Sequence, residues 1–186
     1  MKSVVPVLRL GEAEYLENEK TSEVRHEYLA GLIYAMAGAS ATHNLIALSF
    51  ASRLRAHLRG GPRQVFISDM KVKIEAIDTF YYPDVLVSCD PADKAEYFRT
   101  NPFLIIEVTS PTTVVTDRRE KLLAYQKIPG LREYVLIAQD EISVQVYRRD
   151  KNDCWWKETL GPNDLIELES VNLSMAVKDA YEDVSL

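Results

Sequence analysis

The segment FLIIEVT (103–109) constrains the fold most: it is a nearly continuous apolar run interrupted by a single acid, Glu107. A strand on a one-sided sheet alternates apolar and polar residues. An unbroken apolar run of this length suits a strand covered on both faces. Such strands sit inside a sheet with other layers above and below, which predicts an α/β or mixed α+β chain. Ser110-Pro111 ends the run, because proline donates no ladder hydrogen bond.

The neighbouring segments fill in the frame. Residues 11–20 read as a short acidic helix. VRHEYL (24–29) and GLIYAM (31–36) read as a hairpin turning at Ala30-Gly31. From Ser40 the spacing is helical until Gly60-Gly61-Pro62. Gln64–Ile67, Met70–Ile74 and Tyr81–Ser88 read as strands, and 89–101 as a polar loop. A helix is predicted from Thr113 to about Lys127. Strands follow at Glu133–Ala138, Ile142–Arg148 and Cys154–Thr159, and a short helix at Ser174–Glu182. The order is not a regular βαβ repeat, so a mixed sheet flanked by helices is expected, in a single domain over 1–186.

Composition excludes several classes. The 186 residues are 47% hydrophobic and 27% charged, with 7 Gly and 8 Pro, the balance of a folded globular chain. No apolar run approaches the ~20 residues needed to span a bilayer, so no membrane partner is expected. The first residues, MKSVVPVLRLGEAEYLE, do not read as a secretory signal. Cys89 and Cys154 lack metal or disulfide spacing, and a reducing cytoplasmic setting is the expectation. The formal charge is −6, which speaks against a protein that coats nucleic acid. That charge is uneven. Residues 43–73 hold Arg53, Arg55, Arg59, Arg63, Lys71 and Lys73 against Asp69 alone. Such a basic stretch suits phosphate contact, although it also suits the solvated face of a helix.

Two acids stand in apolar surroundings: Asp84 in YYPDVLVS and Glu107 in FLIIEVTS. A carboxylate on a buried strand is costly unless it is paired or holds a metal. On adjacent strands the two would form a hard-oxygen site suited to Mg²⁺, with the carbonyl of Val108 as an additional ligand. Structural ion pairing is the competing reading.

Several words in fixed order carry a resemblance across nearly the whole chain: HEYLAGLIYAMAGASATH (26–43), DMKVKI (69–74), YYPDVLVS (81–88), FLIIEVTSPTT (103–113), DRREKLLAYQKIPGLREYVLI (117–137) and QVY (145–147). The chain resembles the PD-(D/E)XK, restriction-endonuclease-like nuclease superfamily, and most closely its Uma-type endonucleases, abundant in cyanobacteria. The resemblance implies a four-stranded mixed core sheet flanked by helices, with strands added. It implies Asp84 and Glu107 as ligands of Mg²⁺ or Mn²⁺. The superfamily lysine, two positions after the second acid, is replaced here by Thr109. Lys121 in the following helix is the implied substitute, with i, i+4 pairing to Asp117 as the blander alternative. Glu27 matches an N-terminal acid of the superfamily, and a cross-strand ion pair is its alternative. His43 matches a recurrent histidine, with phosphate contact or a helix-terminus hydrogen bond as its roles. Lys71 and Lys73 are further candidates for substrate contact.

The expected activity is therefore metal-dependent hydrolysis of phosphodiester bonds in DNA, by a homodimer or higher homo-oligomer. The alternatives are a non-catalytic nucleic-acid-binding or assembly module of the same fold, motivated by Thr109, and a hydrolase of another phosphate ester. Trp155-Trp156, of which strand alternation puts one ring inward, and Tyr81-Tyr82 are expected to be structural, with base stacking by the tyrosines as the minor reading.

Overall fold

The computed structural model describes residues 9–110 and 117–186. Helix α1 (Glu12–Thr21) leads into the hairpin β1 (His26–Leu29) and β2 (Leu32–Ala35). Its turn uses Ala30 at φ 47 and Gly31 at φ 97, left-handed conformations that Gly adopts at low cost. Helix α2 (Ala41–His57) follows, capped where the Ser40 hydroxyl accepts from the His43 amide. Next come β3 (Gln64–Ile67), β4 (Lys71–Ile74), β5 (Thr79–Tyr81), β6 (Val85–Ser88), β7 (Phe98–Arg99) and β8 (Leu104–Thr109). A π-helical turn (Asp117–Lys121) runs into α3 (Leu122–Tyr125). The chain ends with β9 (Glu133–Ala138), β10 (Val144–Arg149), β11 (Trp155–Leu160), β12 (Leu165–Leu168), β13 (Leu173–Ala176) and α4 (Val177–Ala180).

The main sheet has six strands in the order β11-β10-β9-β8-β6-β3, and a second has five in the order β2-β1-β5-β4-β7. The mixed α/β architecture is the one expected, with a larger main sheet. Strand β8 lies inside it, buried along its whole length. Leu104, Ile106 and Val108 enter one core cluster, beneath α2 and the β12–β13 hairpin. Ile105 enters the other, with Tyr125, Tyr134 and Leu136. The continuous apolar run is thus accounted for by burial on both faces. In the main sheet β8 and β9 are parallel, and a parallel pair needs a crossover. That crossover carries α3 and Lys121.

Three expectations are corrected. Tyr81–Ser88 is not one strand. It divides at Tyr82-Pro83-Asp84 into β5 and β6, which belong to different sheets. Pro83 cannot donate to a ladder, so the chain changes sheets there. The 89–101 segment contains the short strand β7, paired parallel to β4. Of the predicted helix Ser174–Glu182 only Val177–Ala180 is α-helical, and the residues before it belong to a β12–β13 hairpin. The alternating Leu165-Ile166-Glu167-Leu168 pattern was the available signal, with Ile166 and Leu168 buried. The helix predicted from Thr113 begins among residues outside the described set; its described part is Asp117–Tyr125. Among the described residues, no helix is long and apolar enough to cross a membrane.

Candidate functional site

The junction of the two sheets gathers most of the singled-out residues. Val85 pairs with Ile106, so one further step of the antiparallel register sets Asp84 opposite Glu107. The Asp84 Oδ2 accepts the backbone N–H of Val108 at 2.7 Å. The carboxylate of Asp84 therefore sits at the peptide that follows Glu107. Its other oxygen, Oδ1, is 2.8 Å from His43 Nε2. His43 serves two purposes: its amide takes the Ser40 cap and its ring meets Asp84.

Glu107 shares the face of Ile105 by strand alternation and is 4% exposed. Its Oε1 accepts from the Tyr125 hydroxyl at 2.7 Å and from Lys121 Nζ at 3.2 Å. Lys121, 7% exposed, also lies 3.0 Å from Glu27 Oε1. Its ammonium stands 5.5 Å from the centroid of the Tyr81 ring. Lys121 thus joins an acid of the five-stranded sheet to an acid of the six-stranded one. Its place at the end of a π-helical turn fits that geometry, since such turns re-aim side chains and recur at functional sites. Thr109 points elsewhere, its hydroxyl donating to the Ile137 carbonyl at 3.4 Å.

The electrostatics follow from burial. Tyr125 is held well above its ordinary pKa, chiefly by burial and then by the Glu107 charge, so its hydroxyl stays a donor. Burial pushes Tyr81 up to about 12, with Glu27 adding to the shift and Lys121 opposing it. Two carboxylates, Glu27 and Glu107, flank the ammonium of Lys121, and a third, Asp84, stands opposite Glu107 on the adjoining strand. This excess of negative charge, with hard oxygens on two strands, fits a divalent cation completed by water and phosphate. Among the described residues, no three His, Cys, Asp or Glu side chains converge as a protein cage for a metal. A cation here would therefore keep much of its shell open to other oxygens.

Other candidates lie outside this cluster. Lys73 pairs with Glu12 at 2.7 Å. Lys71 is buried, 5.1 Å from the Tyr82 ring centroid, and burial pushes its pKa down. Part of the basic stretch is engaged internally, because Arg53 pairs with Glu182 at 2.8 Å. Tyr81 and Tyr82 are buried, as packing residues should be. Tyr125 is a site residue that spacing signalled only indirectly, through its i, i+4 relation to Lys121.

Residues 12–178 match the profile of the Uma2 family, described as "Putative restriction endonuclease". The chain belongs to the Uma2 family. It is 35% identical over 181 residues to an uncharacterised protein of Synechocystis sp., covering 97% of this chain and 95% of that relative. A second uncharacterised Synechocystis protein is 33% identical over 165 residues, covering 87% and 93%. A crystal structure from Anabaena variabilis, described as "a putative nuclease belonging to DUF820", superposes with a TM-score of 0.75 at 22% identity. It covers 91% of this chain and 96% of that one. At that identity it supports the shared fold. Membership of the Uma2 family supports nuclease function in general.

Proposed function

We propose that this Uma2 chain hydrolyses phosphodiester bonds in DNA at the centre formed by Asp84, Glu107 and Lys121. The observation that carries the reading is Lys121 Nζ, set between Glu27 and Glu107 at 3.0 and 3.2 Å. It would supply, from the π-helical turn before α3, the ammonium that the superfamily pattern places at residue 109. Asp84 and Glu107 would hold Mg²⁺ or Mn²⁺, with the Val108 carbonyl as an additional ligand. Bound there, the cation supplies charge neutralisation for the phosphate and a more acidic attacking water.

The chain's own groups do the rest. Lys121 faces charge that develops on the phosphoryl oxygens, in a site dry enough for one ammonium to count. Tyr125 fixes the Glu107 carboxylate. His43 orients Asp84 and would meet a substrate phosphate. Glu27 holds Lys121 in position and can orient a water.

The assay is direct. Purified protein incubated with plasmid, linear and single-stranded DNA and with RNA should cut DNA when Mg²⁺ or Mn²⁺ is present and stop when EDTA is added. Nucleotide and sugar phosphates should be poor substrates. The absence of cleavage with every divalent metal and nucleic acid would contradict the reading. A second reading, a binding module without turnover, draws on the engagement of Glu107 by both Lys121 and Tyr125. It predicts nucleic-acid binding that survives Asp84→Asn and Glu107→Gln.

A further inference from the structure

The β1–β2 hairpin presents an aromatic ring beside this centre. Tyr34 is the register partner of Glu27. Directly opposed residues in an antiparallel pair put their side chains on the same face, with Cβ atoms about 5 Å apart. Glu27 points at Lys121, and Leu29, on the same face two residues on, packs against the Tyr81–Tyr125 cluster. Tyr34 therefore stands on the centre-facing side of the sheet. Yet it is 51% exposed, whereas Tyr28, on the opposite face, is buried against Tyr15 and Phe80. Among the described residues the strand is an edge, since β2 pairs with β1 alone in its sheet.

The surroundings of the ring favour close approach of a ligand. Tyr28 through Thr42 contains no Asp, Glu, Lys or Arg. Ala35, Ala37, Gly38, Ala39 and Ser40 are exposed. This small-residue ledge runs from Tyr34 to His43, and so from the Glu27 side of the centre to the Asp84 side. A large ring at one end and a carboxylate centre alongside give a place for a base next to a place for its phosphate.

Resting on the hydrolytic reading above, we infer that Tyr34 is a substrate-positioning residue. It stacks on an unpaired base next to the scissile phosphate, so the preferred substrate is single-stranded, flapped or locally opened nucleic acid. A base inside an intact duplex offers no free face to a ring on a sheet edge. Base–aromatic stacking tolerates any base, so the preference is for strandedness and not for sequence.

The test compares wild type with Tyr34→Ala, Tyr34→Phe and Tyr34→Trp, all at an exposed position that leaves the core intact. Two readouts are taken: kcat and KM for cleavage of single-stranded, flapped and fully paired DNA, and fluorescence anisotropy of a labelled single-stranded oligonucleotide without divalent metal. Loss of the ring should raise KM and Kd for the single strand about tenfold, with kcat little changed and a smaller effect on paired DNA. Phe and Trp should restore both. Cleavage that does not respond to Tyr34→Ala on any substrate would overturn the inference and leave the hydrolytic reading standing. Binding that depends on Tyr34 without cleavage by any form would support the inference and overturn the hydrolytic reading. An absence of both cleavage and binding would overturn both.

Discussion

Lys121 and Glu107 are separated by fourteen residues, yet the lysine ammonium lies 3.2 Å from Glu107 Oε1, with both side chains buried. The crossover between parallel strands makes this possible. It leaves the end of β8 and returns over the same face on which Glu107 stands. A buried cation shared by two carboxylates has no structural need for the third acid nearby, Asp84. That surplus is what makes the cluster look functional.

Replacing Lys121 by Met should separate these contributions. The loss of one preorganised positive group should lower kcat about a hundredfold or more. Two buried acids left without their shared cation should also cost about 3 kcal/mol of stability. Steady-state cleavage and urea unfolding on the same preparation measure both effects. Full activity in a folded Lys121→Met protein would remove the lysine from the mechanism.

His43 should act through Asp84. Groups that orient a metal-binding carboxylate typically contribute about ten- to a hundredfold in metal affinity or activity. His43→Ala should therefore shift the Mn²⁺ dependence of cleavage to higher concentration. The Ser40 cap on α2 remains, because it uses the backbone amide of residue 43. A thermal melt should accordingly change little.

The buried tyrosines set an alkaline limit. Tyr81 and Tyr181 are each pushed up to about 12, mainly by burial, and Tyr125 lies well above its ordinary value. A folded-state pKa above the unfolded one means the folded chain holds its protons longer. The associated stability is complete below about pH 10 and is lost as pH rises through the folded values. Urea midpoints should fall between pH 10 and 12. Tyr125→Phe should begin about 1 kcal/mol lower, for the lost hydrogen bond, and fall less steeply.

A second buried ion pair offers a control. Arg148 Nε meets Glu133 Oε1 at 3.1 Å, and its guanidinium also reaches Glu158 at 2.7 Å. Glu133 accepts the Ser170 amide at 2.8 Å, tying the β12–β13 hairpin to the main sheet. Glu133→Ala should cost about 3–5 kcal/mol, with kcat per folded molecule unchanged.

The legible parts of the sequence were those whose pattern is local. FLIIEVT announced a two-faced strand, and Asp84 and Glu107 were conspicuous because each acid interrupts an apolar word. The sheet change at Pro83 was harder to see, because YYPDVLVS has one composition but serves two sheets. The tail hairpin was missed because its alternating strand is short. The partnership of Lys121 with Glu27 could not come from helix spacing, since it depends on how two sheets meet. Tyr125 was visible only as a stripe neighbour of Lys121. Tyr34 looked like any β-propensity residue until the register set it against Glu27.

The Asp84–Glu107–Lys121 cluster is the proposed hydrolytic centre. It is tested most directly by the initial rate of plasmid nicking in Mn²⁺, comparing wild type with Glu107→Gln at equal folded concentration. The expected result is metal-dependent nicking by the wild type and a loss of at least about a hundredfold in Glu107→Gln. Nicking by a folded Glu107→Gln protein at the wild-type rate would contradict it.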